Sequence, residues 1–535
     1  MPKNLVAEFS QPNIVSVPVG GDPRTASSIE PALQELTNRT FTADESLKSF
    51  GVDPRRYGAQ CDGVTDDREA IMDAIDALDI VGGGTLKFPA GTIAVDDDGA
   101  SNAILLEGRQ NITLAGAGRG RTILKLKSGA ESGVVNIVDS ENVAILDMTI
   151  DGNRANVETV LHGIRTFGDV AGLTIERVEV KSSQGYGIGL QGAQKRRVCI
   201  NDVWIHDTGS DGIDVKNTDD NNEQCFMTNV TVWDFGKNLE TSASSPQSGV
   251  DVRGPWQLTN IWVTKPSNTG AGIRLREGDP GGVSGLGAHK SHLTNFHVVG
   301  AGGDIELGLE INVDDVSVSN GWIENCFRGV SILGKRAVVM GVTASACVDD
   351  GFLAAADGAA PFGAESATLM GCRALNNGGD GFNIQNDYCQ LVGNLATGNT
   401  GNGIGIGASV LETVLQGNNV LGNGGAVSDA GTDTHAQGNI GWRTEASLVT
   451  GPLACDDTGA KTATIPHGLG AAMALQLHHF AASVVMDTNV SDYEISMLRI
   501  ESVTSTQVTV RAVVKVASAT PGATFKIAVK AQTRP

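Results

Sequence analysis

Three acidic residues occupy matching places in short apolar segments, each two positions after a glycine. Asp214 lies in DGIDV, Asp251 in SGVDV and Glu310 in LGLEI. Glycoside hydrolysis requires two carboxyl groups about 5 to 9.5 Å apart, one as proton donor and one as nucleophile or base. We therefore predict that Asp214, Asp251 and Glu310 carry a glycoside hydrolysis, with Asp211 in the preceding turn as a further candidate acid.

Basic and aromatic residues accompany these acids on the same segments. Guanidinium groups bind the carboxylates of acidic sugars, and aromatic rings offer flat apolar faces to pyranoses. The predicted substrate-binding residues are Arg274, Arg276, Arg253, Lys216, Tyr186 and Trp256. A polysaccharide lyase is the second enzyme hypothesis. In it Arg274 or Arg276 neutralises a uronate carboxylate, and Tyr186 or a lysine abstracts the C5 proton.

The acid-bearing segments belong to a glycine repeat that runs from Gly163 to Gly403, with spacings of 21 to 25 residues and three longer intervals. A second segment with alternating apolar residues recurs half a period later, as in GLTIERVEV from Gly172 and WQLTNIWV from Trp256. Short strands stacked at one coil per repeat predict an all-β protein, a right-handed parallel β-helix or solenoid.

Strand alternation assigns a direction to each side chain of the repeat. The residues predicted to face the core are Ile213, Val215, Val250, Val252, Ile273 and Leu275. The acids and bases then form two outward columns that face solvent. With coils about 4.8 Å apart, Asp214 and Asp251 are expected near 5 Å, and Asp251 and Glu310 near 10 Å with Arg274 between them.

The ends of the chain lack the glycine repeat. Residues 1–50 form a predicted linker with one short helix, Ser28–Leu36, and residues 51–443 form the predicted β-helix. Residues 444–535 are rich in Val, Ala and Thr, which predicts a small C-terminal antiparallel β domain.

The composition argues against several classes of function. The chain has 39 Lys+Arg against 61 Asp+Glu, a formal charge of −22, which is the reverse of a nucleic-acid-binding protein. No apolar run is long enough to span a membrane, and the start MPKNLVAEFSQPN lacks the core of a signal peptide. Eight cysteines without C-x-x-C spacing predict buried free thiols.

Two weak metal patterns are also present. His289, His292 and His297 lie close together in sequence, and VDDDG spans Val95 to Gly99. Neither has the complete ligand spacing of a zinc or calcium site. We predict no metal and no cofactor.

One segment carries a family resemblance. From Tyr57 the chain reads YGAQCDGVTDDREAIMDAIDALDIVGGGTLKFPAGTIAV. The pattern predicts a helix from Arg68 to Leu78 capped by Asp66 or Asp67, then a glycine turn and a first strand, Thr85 to Phe88. This segment, 57–91, resembles the capping region of the pectate-lyase-like β-helix superfamily, which includes bacteriophage tailspike depolymerases, polygalacturonases and alginate epimerases. In that family the helix covers the open end of the β-helix.

Over about Val52 to Trp442 the chain is most similar to a phage tailspike. The resemblance implies a homotrimer in the virion that acts outside the host cell. Its N-terminus would join the tail or an adaptor protein, and its C-terminal domain would trimerise or contact carbohydrate. The β-helix would bind and cleave a bacterial surface polysaccharide, namely capsule, exopolysaccharide or O-antigen. A receptor-binding spike without catalysis is the third hypothesis.

Two enzyme patterns of the superfamily are incomplete here. SDGIDV places Asp211 and Asp214 in the context of the first polygalacturonase motif, but no G-H-G motif follows. The alginate epimerase pattern Y-G-x-D-P-H-E begins at Tyr186 and Gly187, after which 189–192 replace its acid and histidine. The resemblance therefore implies a polysaccharide depolymerase, for which hydrolysis is the leading hypothesis.

Overall fold

The computed structural model divides the chain into two compact units, Met1–Thr231 and Val232–Pro535. The residues that it describes are 3–6, 14–17, 51–100, 102–158, 160–192, 194–216, 224–238, 247–264, 270–276, 290–302, 306–355, 366–442, 445–449, 453–454, 461–466, 480–486, 493–503, 507–516 and 524–532. The predicted helix Ser28–Leu36 lies outside the described residues.

An amphipathic helix, Arg68–Ile80, precedes the parallel strands of the first unit and buries Ile71, Ala74, Ile75 and Leu78. It confirms the predicted helix and extends it by two residues. Asp66 accepts a hydrogen bond from the Arg68 backbone N–H at 3.1 Å. The Asp67 carboxylate instead accepts the backbone N–H groups of Gln60 and Cys61, at 2.6 and 2.9 Å. Asp67 therefore occupies the N-cap position but uses its side chain to anchor the preceding turn, while Asp66 binds the backbone N–H of the first helical residue. Two short 3-10 helices are Pro54–Tyr57 and Arg154–Asn156.

Two kinds of parallel strand alternate along the first unit. We call those that carry the glycine repeat or pair with such strands the glycine strands: Asn102–Glu107, Gly133–Glu141, Ile164–Ala171, Ile188–Leu190, Gln194–Arg196 and Ile213–Val215. We call the others the bent strands: Gly84–Lys87, Gly91–Val95, Ile112–Ala115, Thr122–Leu126, Ala144–Leu146, Thr149–Asp151, Thr174–Lys181, Cys199–His206 and Phe226–Trp233. The first predicted strand thus begins and ends one residue earlier than expected.

The bend in each long bent strand has a local cause. A residue near the middle of the strand has a positive φ: 54° at Arg177, 52° at Asp202, 57° at Asn260, 53° at Asn295 and 54° at Asn320. This left-handed conformation turns the chain in mid-strand and is tolerated best by Asn and Asp among the non-glycine residues. Each of these long strands therefore changes direction at the residue with the positive φ.

The second unit repeats this arrangement. Its glycine strands are Gln247–Val252, Gly270–Arg276, Leu307–Asn312, Arg328–Ile332, Phe352–Ala354, Phe382–Ile384, Asn402–Ile406 and Gly425–Asp429. Its bent strands are Gln257–Thr264, His292–Val299, Ser317–Glu324, Val338–Met340, Thr343–Ser345, Thr368–Met370, Arg373–Leu375, Gln390–Val392, Leu395–Thr397, Val414–Gln416 and His435–Gln437. The pairings of both kinds of strand join parallel neighbours one coil apart, which confirms a parallel β-helix.

The repeated glycines lie where consecutive coils approach most closely. A Cβ on Gly272 would lie 2.6 Å from the carbonyl oxygen of Gly308 and would also touch Val298. A Cβ on Gly308 would meet the Gly329 carbonyl oxygen at 2.7 Å. Because the next coil fills this space, the sequence repeats glycine there.

Two columns of buried asparagines stabilise the later coils. The amide nitrogen of Asn377 donates to the Asn399 side-chain oxygen at 2.8 Å, and Asn399 donates to Asn423 at 2.8 Å. In the second column Asn394 donates to Asn418 at 3.0 Å, which donates in turn to Asn439 at 3.0 Å. Buried amides are thereby satisfied by their equivalents on the next coil.

Antiparallel strands form the C-terminal part of the second unit, as expected. They are Glu445–Val449, Leu453–Ala454, Lys461–Pro466, Phe480–Met486, Tyr493–Val503, Gln507–Val516 and Thr524–Gln532. At the N-terminus Lys3–Val6 pairs with Ile14–Val17, also antiparallel.

The predicted core is confirmed. Its members are fully buried: Ile213, Val215, Val250, Val252, Ile273 and Leu275. The seven cysteines within the described residues are free thiols, and five of them are buried. Within the same part of the chain, no helix is long and apolar enough to cross a membrane.

Candidate functional site

The glycine strands place the predicted site residues in register. In the second unit Asp251 pairs with Arg274, which pairs with Glu310 on the following coil. In the first unit Arg165 pairs with Gly189, which pairs with Asp214. The outward column therefore exists within each unit. Asp214 and Asp251 belong to different units, so the spacing between them stays a prediction.

Ion pairs hold the acids of the second unit. Arg276 Nε contacts both carboxylate oxygens of Asp251, at 3.0 and 2.9 Å, and its Nη2 lies 2.5 Å from Asp251 Oδ2. A second guanidinium, that of Arg253, lies 3.6 Å from the same oxygen. Arg274 Nε donates to Glu310 at 2.7 Å. Both acids are thus bound by arginines from their own or a neighbouring coil.

The expectation that the acids of these columns face solvent is wrong, whereas Lys216 and Arg276 are half-buried. Asp214 and Asp251 are each 1% exposed, and Arg253, Arg274 and Glu310 are also buried. The side chains do point away from the apolar core, but charged partners on the same face cover them. Two guanidiniums engage Asp251 and one engages Glu310, so both carboxylates are already ion-paired within the protein, which weakens the catalytic roles predicted for them.

The prediction that Trp256 binds substrate is also contradicted by its position. Its side chain is fully buried, so its ring packs in the core and offers no face to a sugar. The left-handed Asn260 resets the strand alternation between Leu258 and Ile261, both of which are buried. The exposed aromatic of this strand is consequently Trp262.

A second cluster lies in the first unit around Tyr186. Lys216 Nζ forms an ion pair with Asp214 Oδ2 at 3.1 Å and lies 5.8 Å from the centre of the Tyr186 ring. Arg165 Nε donates to Gln191 at 3.1 Å on the same group of coils. Tyr186, Lys216 and Arg165 are half-buried, so the cluster combines buried charge with partly accessible groups.

His162 is a member of this cluster that the sequence analysis missed. Its ring stacks on Tyr186 with centroids 4.5 Å apart and planes 13° apart. The Tyr186 backbone N–H donates to His162 Nδ1 at 3.0 Å, which leaves the ring proton on Nε2. Burial, with the positive charges of Arg165 and Lys216, lowers the pKa of His162 to about 3. The histidine is therefore neutral at physiological pH. Its position directly before a repeat glycine was the available signal.

Asp211 stands in the turn directly before its strand and is buried. One of its carboxylate oxygens lies within 4.8 Å of one of Asp214. Later coils show what an acid in this position does: Asp350 accepts the backbone N–H of Asp380 at 2.8 Å, and Asp380 accepts that of Asn402 at 2.6 Å. The turn position thus supports the backbone of the next coil as well as offering a carboxylate.

The acids of the VDDDG pattern make contacts with the local backbone. Asp97 accepts backbone N–H groups from Gly99 and Glu131, both at 2.8 Å, and Asp98 accepts that of Ala100 at 2.8 Å. These acids organise a polar turn. His289 lies outside the described residues, and His297 contacts Glu324.

Comparison with known proteins agrees with this architecture. Residues 52–252 match the family model described as rhamnogalacturonase A/epimerase, pectate lyase-like. This part of the chain is therefore similar to pectate-lyase-like proteins. This finding confirms the superfamily that the capping segment predicted.

Two relatives and one solved structure show what this domain is similar to. Mannuronan C5-epimerase AlgE4 of Azotobacter vinelandii is 39% identical over 168 residues, which are 29% of this chain and 30% of that protein. The preneck appendage protein of Bacillus phage PZA is 33% identical over 126 residues, 22% of this chain and 13% of that protein. The AlgE6 A-module of Azotobacter vinelandii superposes with a TM-score of 0.48 at 23% identity, covering 72% of this chain and 98% of the module. The chain thus spans less than a third of either relative.

Proposed function

We propose that this chain acts on a uronate-containing bacterial surface polysaccharide by removing the proton at C5, as part of a phage tail appendage. The observation that carries the proposal is the Tyr186 ring, stacked on a neutral His162 and flanked by the Lys216 ammonium. A partly accessible phenol can accept the C5 proton, and the neighbouring cations can bind the uronate carboxylate. The likeness to a C5-epimerase and to a phage appendage protein supports it.

The reaction needs two things that the cluster supplies. Lys216 and Arg165 would neutralise the uronate carboxylate, which makes the C5–H bond more acidic. Tyr186 would take the C5 proton, and Asp214 would hold Lys216 in place through their ion pair. His162 would fix the orientation of the phenol ring by stacking.

Two products can follow the loss of the C5 proton. The C5–H electrons can form a C4=C5 double bond while the C4–O bond breaks and the leaving oxygen takes up a proton, which is a lyase reaction. Alternatively a proton returns to C5 from the opposite face, which gives the epimer. The lyase outcome shortens the polymer and suits a depolymerase.

An experiment in D₂O tests this proposal for both the lyase and the epimerase product. Alginate and polygalacturonate would be incubated with the full chain in D₂O, and C5 deuterium would be measured by NMR alongside ultraviolet absorbance of unsaturated products. Tyr186→Phe should lower both rates at least a hundredfold, on the scale of a lost general acid–base. Tyr388→Phe, the same change at an exposed tyrosine, is the matched control.

Glycoside hydrolysis through Asp211 and Asp214 is the second candidate. It is favoured by the approach of their carboxylate oxygens to within 4.8 Å. New reducing ends without ultraviolet absorbance or C5 deuterium would identify hydrolysis and reject proton abstraction. Binding of the polymers without any change in them would instead favour a receptor-binding spike.

A further inference from the structure

Three aromatic side chains form a column on the bent strands of the second unit. Trp262 pairs in register with His297, which pairs with Trp322 on the following coil. Trp262 and Trp322 are 48% and 41% exposed, whereas His297 is half-buried. This column, which we call the aromatic ladder, lies on a different sheet from the glycine strands that carry the ion-paired acids.

The rings of the aromatic ladder are held at their edges. Trp322 Nε1 donates to Glu324 Oε2 at 3.2 Å, and His297 Nε2 lies 3.3 Å from Glu324 Oε1. The rings of Trp262 and His297 are in contact, with centroids 4.5 Å apart and a tilt of 59°. Because the Glu324 carboxylate holds Trp322 and the His297 ring packs against Trp262, the ladder is ordered before any ligand arrives, which lowers the entropy lost on binding.

Polar groups border the aromatic ladder on both sides. The exposed asparagines of the three strand bends, Asn260, Asn295 and Asn320, follow one side. Thr264 and Glu324 lie on the other side, two residues beyond the aromatic position. Amide, hydroxyl and carboxylate groups around an aromatic strip match a sugar, whose ring has an apolar face and a rim of hydroxyls.

We infer that the aromatic ladder is a second polysaccharide-binding site, separate from the Tyr186 cluster, on which consecutive sugar rings of one polymer chain stack. Neighbouring strands are about 4.8 Å apart, so the aromatic positions repeat at nearly the length of one pyranose unit. The class of ligand rests on the proposed function, since the same polymer would be held at the ladder while it is modified elsewhere.

The exposed area argues for a ligand one sugar wide rather than a protein. Two indoles that are 48% and 41% exposed offer on the order of 200 Å². A stable protein interface needs roughly 800 Å² from each partner. Charged Glu324 next to the rings is also unlike the centre of a protein interface, where charged residues are depleted.

Trp204 of the first unit shows why ring exposure alone does not define such a site. It is 44% exposed, but the Arg119 guanidinium covers it at 4.2 Å from the ring centre. Arg119 is in turn fixed to Asp202 at 2.6 Å. One face of this indole is therefore occupied by the protein.

Affinity electrophoresis of the full chain through gels containing alginate tests the inference. Trp262→Ala with Trp322→Ala should weaken retardation at least tenfold, and Trp262→Tyr with Trp322→Tyr should restore most of it. Met370→Ala removes another exposed apolar side chain of the same unit and should change nothing. Unchanged retardation of the double alanine variant, or no retardation of the wild type, would overturn the inference.

Two further measurements separate this inference from the proposed function. Tyr186→Phe should remain retarded like the wild type while its turnover is lost, which supports both. If the wild type shows no turnover but the ladder variants still lose retardation, the proposed chemistry fails and the second site stands. Dissociation of an oligomer by the double alanine variant, seen by light scattering, would show that the ladder is a subunit contact and reject the inference.

Discussion

Replacing Asp251 with asparagine should destabilise the protein strongly. The Asp251 carboxylate is 1% exposed and contacts Arg276 at 2.5 Å and Arg253 at 3.6 Å. The asparagine side chain would keep the shape and lose the charge, leaving two guanidiniums without their buried counter-charge. Breaking a buried ion pair costs about 3–5 kcal/mol. Because Arg276 is 28% exposed and can turn towards water, we expect a value near the lower end, about 3 kcal/mol.

Urea unfolding followed by circular dichroism would measure this effect. Asp315→Asn is the matched control, because Asp315 also pairs with an arginine one coil away, but in an exposed position. Surface pairs contribute about 0–1 kcal/mol, so the control should unfold close to the wild type. Adding Arg276→Gln to Asp251→Asn should cost less than the sum of the two single changes, by about 0.5–3 kcal/mol.

The result also decides the role of Asp251. If Asp251→Asn is as stable as Asp315→Asn but inactive, the acid is a catalytic group and the reasoning from its ion pairs is refuted. If it is destabilised and the surviving folded fraction is active, the acid is structural. A hydrolase nucleophile at this position requires the first outcome.

Three further predictions follow from the same structure. Because the pKa of His162 is lowered to about 3 in the folded chain, the unfolded chain binds a proton at this histidine between about pH 3 and pH 6.5 and the folded chain does not. The contribution of His162 to the free energy of unfolding should therefore be fully present above about pH 6.5 and decrease towards pH 3, by up to about 1.4 kcal/mol per pH unit. A titration midpoint near pH 6.5 for the His162 ring protons, measured by NMR in the folded protein, would contradict this. Gly272→Ala should lower the unfolding free energy by roughly 1–3 kcal/mol, because its Cβ meets the Gly308 carbonyl oxygen, and an unchanged urea midpoint would disprove the clash. Light scattering should give three times the 55.4 kDa of one chain, and one chain after removal of residues beyond Glu445; a monomer in both forms would contradict a trimeric spike.

The sequence was sufficient for the strand register but not for solvent exposure. The glycine spacing correctly placed Arg274 between Asp251 and Glu310, since coils stack at one repeat each. Alternation shows which side chains leave the core, but not that Arg276 from the next coil lies over Asp251. Whether an outward residue is accessible therefore depends on its neighbours across coils.

Two other differences have local causes that periodicity does not contain. The positive φ of Asn260 changes the phase of alternation, so that Trp262 rather than Trp256 is exposed. His162 lies in a turn, where no strand period applies, and only the stacking of adjacent coils brings it to Tyr186. The capping segment, in contrast, was predictable because its helix depends on contacts within a few residues.

The two buried asparagine columns give the later coils a direction. In the first column Asn377 donates to Asn399 on the following coil, and Asn399 donates to Asn423, which ends the column as an acceptor. Their dipoles therefore add along the column, and each bond polarises the next. A coil that docked one residue out of step would bury an amide with no acceptor. The asparagine columns thus favour the correct register of each coil, since their hydrogen bonds form only when the coil docks in that register.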